Sequence, residues 1–330
     1  MKSSEMGKKR KQPEDVAGTP NPRHPKKSKN QIDELQLGSL AVELDFAKKL
    51  AANEKLQRDR AMRNLFRWLQ SQCQQGKRFS KNELMVLWKG LYYCLWMADK
   101  PLVHEELADK MVSLLKCFAA HKLSAVKFLD AFFLTISREY SRIDRFRLDK
   151  FLMLTRRMFR GMVVWLRETG WSSRWTEHVW LVLRQNVLSG ESGVCAEGLQ
   201  NFLTEIFLTE LEATLTEDGE EDATAGDARR ECVDGLFRVF CDVLLDADTM
   251  FLRNAVQRNL LKSSAATFPR VHALLSREAV ATYALQLGQN PHCPVKNRRA
   301  LYTVHTHFRR PAAAVASDQD EVEDEDPVAP

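Results

Sequence analysis

The chain has 330 residues, 44% hydrophobic and 28% charged, with a formal net charge of +5. That is enough apolar material for one large folded unit or two smaller ones, and it excludes a chain too polar to collapse. Seven cysteines (73, 94, 117, 195, 232, 241 and 293) form no CxxC, which argues against a disulfide framework or a zinc ribbon and for a reducing compartment.

The net charge conceals opposite ends. Residues 1–30 carry nine bases against three acids, and residues 311–330 carry seven acids and no base. Residues 1–36 are rich in Lys, Pro, Ser and Asn without an apolar period, so the sequence predicts a disordered basic tail. Two clusters within it, Lys8, Lys9, Arg10 and Lys11, then Lys26, Lys27 and Lys29, read as signals for a nuclear import receptor, with loose attraction to RNA as a second use. No apolar stretch follows them, so no secretory signal is expected. Residues 311–330 are expected to be a disordered acidic tail.

From about 40 to 308 the periodicity is helical. Segments recur at 41–51, 54–74, 82–98, 102–118, 123–140, 144–167, 174–188, 197–215, 229–245, 249–261, 271–287 and 296–308. Asn53 is expected to cap the second, Gly76 to end it, and Ser80 with Glu83 to form a capping box. The fold class that follows is all-α: helical hairpins stacked into an irregular, HEAT-like α-solenoid without a crisp repeat. The acidic segment 216–227, TEDGEEDATAGD, is predicted to be a flexible loop between two halves.

The run LWKGLYYCLWMADKP (87–101) is hydrophobic on nearly every side and too short to span a bilayer, so it predicts a buried helix and no membrane association. Trp88, Gly90, Trp96 and Pro101 are expected to be structural core, with Gly90 at a close helix approach and Pro101 in the first turn of the next helix. The rival reading is a nucleophile, Cys94 with His104 oriented by Asp99. It needs an exposed, electropositive cysteine, and Cys94 sits in the greasiest helix of the chain. His305 and His307, with His292 and Cys293, match no metal-ligand spacing. No phosphate-binding, dinucleotide or hydrolase motif is present. The expectation is no enzyme, no metal, no cofactor and no small-molecule substrate.

The most informative stretch for binding is 137–168. At 100° per residue its apolar side chains fall on one face, while Arg142, Lys150, Arg156, Arg157, Arg160 and Arg167 share an arc of about 120° on the other. Arg156 and Arg160 are like charges at i, i+4, which disfavours an isolated helix and predicts an anionic partner.

Three stretches, FAKKLAANEKLQRDRAMRNLFRWL (46–69), LWKGLYYCLWMADKPLVHEELADK (87–110) and SRIDRFRLDKFLMLTRRMF (141–159), resemble the best-marked segments of the ribosomal RNA processing protein 1 family. The likeness is specific from about 41 to 190 and fainter to 308. It implies a non-enzymatic helical scaffold of the nucleus and nucleolus that works in precursors of the large (60S) ribosomal subunit. Its implied partners are other pre-60S assembly factors and pre-rRNA. Relatives with Lys-rich C-terminal tails differ from this chain, whose C-terminal end is acidic. The alternative is a general HEAT-type adaptor that binds acidic protein segments without touching RNA.

Overall fold

The computed structural model describes residues 40–191, 193–216, 226–261 and 266–310. The chain divides into Met1–Ala41 and a compact unit, Val42–Pro330. Among the described residues are thirteen α-helices and no strand. They are α1 (Ala41–Leu50), α2 (Lys55–Gln74), α3 (Lys81–Trp96), α4 (Pro101–Ser113), α5 (Lys122–Glu139), α6 (Leu148–Glu168) and α7 (Ser173–Asn186). There follow α8 (Glu197–Thr216), α9 (Gly226–Asp246), α10 (Met250–Leu261), α11 (Pro269–Leu274), α12 (Arg277–Gln289) and α13 (Val295–Arg309).

Alternate helices stack on one another. α3, α5, α7, α9 and α12 form one row, and α4, α6, α8 and α10 form a second. This is the two-layer arrangement of a helical solenoid, in which each helix buries its apolar face against its neighbours two elements away. Bonds between rungs therefore recur at similar chain separations. His121 Nε2 meets the Cys73 carbonyl at 3.0 Å, 48 residues away, and Asn297 Nδ2 donates to the Leu245 carbonyl at 2.9 Å, 52 away. At the C-terminal end α12 and α13 form a hairpin, with α13 also against α9 and α10.

α3 shows how the sequence sets these elements. Ser80 Oγ accepts from the Glu83 amide at 3.2 Å while the Glu83 carboxylate accepts from the Ser80 amide at 2.7 Å, closing the capping box. Trp88 is buried, its indole donates to the Phe128 carbonyl at 2.9 Å, and its ring lies 4.8 Å from both Phe128 and Phe132. Gly90 faces α1 so closely that a Cβ there would stand 2.6 Å from the Ala47 Cα. Gly90→Ala is expected to destabilise by about 1–2 kcal/mol, because overpacking against backbone outweighs the gain in helix propensity. A lower urea midpoint checks it; a raised one would mean the approach relaxes freely.

The predicted elements hold with four adjustments. α2 starts at Lys55, with Glu54 rather than Asn53 at the N-cap, and no side chain caps it. The Asn53 carbonyl instead accepts from buried Arg58 at 2.6 Å. Segment 102–118 begins one residue earlier, at Pro101, and tightens into a 3-10 turn from Leu114 to Phe118. Segment 144–167 starts only at Leu148, because the Asp144 carboxylate takes the amides of Phe146 (3.0 Å) and Arg147 (3.2 Å) and holds a turn there. Segment 271–287 is two helices. Buried Asp234 on α9 accepts the Ser276 amide at 2.8 Å, and Leu275 turns to extended backbone. Glu212 on α8 takes the amides of Arg270 and Val271 at 2.9 and 2.8 Å, capping α11 from outside. The tail clusters, the acidic tail and 217–225 of the acidic segment lie outside the described residues.

Candidate interaction surface

α6 has a broad apolar side. Phe151, Met158, Phe159, Met162, Val163 and Leu166 are all buried. The polar side differs from the sequence expectation, because its cations are met by groups of the fold itself.

Lys150 belongs to no outer face. It is buried, and its ammonium donates to the carbonyls of Trp96 (2.8 Å) and Ala98 (2.7 Å), with Asp99 4.0 Å away. Burial pulls its pKa down, partly offset by Asp99. Arg147 Nε adds a bond to the Trp96 carbonyl at 3.4 Å, and Arg58 Nη2 reaches the Met97 carbonyl at 3.3 Å. Three cations thus cover the orphan carbonyls at the end of α3, where the helix dipole is negative.

Arg156 and Arg160 share one acid. Glu210 on α8, 3% exposed, pairs with Arg156 through Oε1 and with Arg160 through Oε2 at 3.1 Å. The like charges read as unopposed are therefore bridged across the groove between rungs. Arg157 Nη1 lies 2.9 Å from Asp109 and donates to the Glu105 carbonyl at 2.8 Å, while Nη2 meets the Glu105 carboxylate at 3.2 Å. Arg142, 72% exposed, sits 3.4 Å from Glu139, which also pairs with Lys89. Arg167 is half-buried and is not free of interactions. The six cations do not form the single unopposed face that helix stepping predicts. One residue points inward and the other five have partners.

Trp88 and Gly90 lie in the interior. Trp96 is half-buried under the Arg147 guanidinium, 4.9 Å from the ring centre, and Pro101 is exposed at the first turn of α4. Neighbouring Tyr93 reaches solvent, so α3 is not buried on every side.

All seven cysteines are free and buried. Desolvation pushes the thiols of Cys94, Cys232 and Cys241 up to about 12, which keeps them protonated and poorly nucleophilic at neutral pH. No hydrogen bond joins Cys94 to His104 or Asp99, and the Asp99 side chain is exposed. Native protein at pH 8 is expected to leave these three thiols unlabelled by a maleimide until urea is added; rapid labelling of Cys94 would restore the nucleophile reading. Among the described residues no cluster of three or more His, Cys, Asp or Glu is placed to hold a metal, and no helix is long and apolar enough to cross a membrane.

Sequence stepping along 137–168 leaves a second basic stripe unread, on α2. Arg60, Arg63 and Arg67 follow one another at i, i+3 and i+7, and all three are exposed. The signal that finds them is the same helical stepping applied to 55–74.

Two rows of stacked helices with bridged charges between the rungs define an all-α, HEAT-like solenoid. Its family is specific. The chain belongs to the Nop52 family of nucleolar proteins, whose profile matches residues 41–304. Human ribosomal RNA processing protein 1 homolog A is 34% identical over 231 residues, covering 70% of this chain and 48% of its own length. The Drosophila melanogaster homolog is 38% identical over 138 residues, 42% of this chain and 20% of its own. The Caenorhabditis elegans homolog is 29% identical over 282 residues, 81% of this chain and 68% of its own. The matched region is thus less than half of the human and fly proteins. Among solved structures, a circular tandem repeat protein aligns over 88% of this chain and 75% of its own with a TM-score of 0.39 at 12% identity.

Proposed function

We propose that this chain is a non-enzymatic scaffold in the nucleolus for large-subunit ribosome assembly and the processing of ribosomal RNA precursors. The observation that carries the reading is the family match over residues 41–304. The names of the relatives, ribosomal RNA processing protein 1 homologs, supply the process. The structure supports the architectural part: its polar chemistry holds rungs together or lies on outer faces, and its thiols are buried.

In this reading the solenoid holds other assembly factors and precursor RNA in one arrangement. Lys8–Lys11 and Lys26–Lys29 engage an import receptor. Arg142, Arg156 and Arg160, whose side chains are 72%, 51% and 48% exposed, are peripheral contacts for an anionic partner; Lys150 is excluded by burial. Affinity purification of the tagged chain, with mass spectrometry and sequencing of bound RNA, tests the proposal. Recovery of large-subunit precursor RNA with assembly factors is expected. An exclusively cytoplasmic protein set without precursor RNA would overturn it.

A further inference from the structure

The fold treats two sets of helix arginines in opposite ways. On α6, Arg156 and Arg160 are like charges one turn apart, and Glu210 bridges them. On α2, Arg63 and Arg67 repeat that spacing, with Arg60 three residues before, and no bridge joins them. All three are exposed, and among the described residues no acid pairs with them and no hydrogen bond or aromatic ring engages their guanidinium groups. Asp59 and Glu106, which line one cleft with Arg63, are already committed. Asp59 pairs with Lys55 at 2.6 Å, and Glu106 pairs with Lys110 at 2.6 Å. Like charges at i, i+3 and i, i+4 disfavour the free helix, so the α2 stripe carries repulsion that only an outside anion relieves.

The surroundings of the stripe identify the anion. With Arg60 at zero and 100° per residue, the arc within about 60° either side holds Leu56, Gln57, Arg60, Arg63, Asn64, Arg67, Ser71 and Gln74. It contains no Asp or Glu. Its neutral members other than Leu56 are amides and a hydroxyl, the side chains that join arginine in contacts to phosphate and sugar oxygens. A protein interface would instead place aromatic or aliphatic anchors at its centre, and here the only apolar member, Leu56, stands at one end. The three arginines spread over about 10 Å of helix, enough to track a backbone rather than one phosphate. α2 packs against the 3-10 turn Leu114–Phe118, outside both rows, and the positions of Arg60, Arg63 and Arg67 are exposed.

We propose that Arg60, Arg63 and Arg67 on α2 form a docking stripe for the sugar–phosphate backbone of single-stranded RNA. The proposal rests on the reading of this chain as a partner of precursor RNA, and it names the surface that meets it. Contact is electrostatic and independent of base sequence, with Asn64 and Gln74 donating to backbone oxygens.

The test uses the full chain and a fluorescent oligouridine, titrated across a range of salt. The triple variant Arg60→Gln, Arg63→Gln, Arg67→Gln removes three charges from exposed positions. Its affinity at low salt is expected to fall by on the order of tenfold, and the log–log salt slope to become shallower by about 2, from three lost counterion-releasing contacts. The control Lys296→Gln, Arg299→Gln, Arg309→Gln removes the same charge from exposed, unpaired positions on α13 and is expected to leave the slope near wild type. Circular dichroism verifies that both fold. An unchanged slope in the α2 variant, or an equal change in the α13 control, would overturn the stripe. So would loss of polyglutamate-peptide binding with RNA affinity intact, which would assign the stripe to an acidic protein segment. Failure here leaves co-purification with precursor particles as a separate readout, so the scaffold reading and the stripe fall independently.

Discussion

Replacing both Arg156 and Arg160 by alanine is expected to destabilise the protein by about 3 kcal/mol. Neither guanidinium is itself buried, so losing them costs little directly. The cost falls on Glu210, which is 3% exposed and would be left with no cation beside it. Breaking a buried ion pair by removing one side costs about 3–5 kcal/mol, and the half-exposed arginines place this case at the lower end. The diagnostic is reversal. Adding Glu210→Met to the double variant removes the stranded carboxylate and should recover most of the loss, since a well-packed apolar replacement of a buried pair is often neutral. Urea midpoints of the double and triple variants check it. A double variant as stable as wild type would show the bridge to be incidental.

Trp88→Ala is expected to cost about 3–5 kcal/mol through the cavity left between α3 and α5. The indole fills the space against Phe128 and Phe132 and ties α3 to the Phe128 carbonyl. Trp88→Phe separates the two contributions. It keeps most of the ring contact and loses the indole donor, at about 1 kcal/mol for the bond plus the smaller volume. Because each helix pair packs on its neighbours, the alanine variant should open the α3–α5 region first. Amide exchange should rise there before it rises in α12 and α13. Uniform acceleration across all helices would contradict that picture.

Helices were legible wherever a local signal set them. Ser80 and Glu83 announce the start of α3, Pro101 the start of α4, and Gly76, at φ +85°, the end of α2. Gly90 in an apolar helix announces a close neighbour, though not that the neighbour is Ala47. Illegible features depend on groups roughly 40 to 60 residues away. Nothing in 271–287 says that Asp234 will take the Ser276 amide and split the helix. Nothing in 148–168 says that Glu210 will stand between Arg156 and Arg160, or that Lys150 will turn inward to the end of α3. An amphipathic projection shows which charges share a side of one helix. It cannot show which of them a second helix will neutralise, and that separates the α6 arginines from the α2 stripe.

The limited span between rungs also governs how the protein is made. Cys73 meets His121 after 48 residues and Leu245 meets Asn297 after 52. Each rung can therefore close once about that length of following chain has left the ribosome, without waiting for the C-terminus. Contacts of limited span favour fast folding that starts from the N-terminal end. A nascent chain arrested after α7 should already protect α3 and α5 from protease.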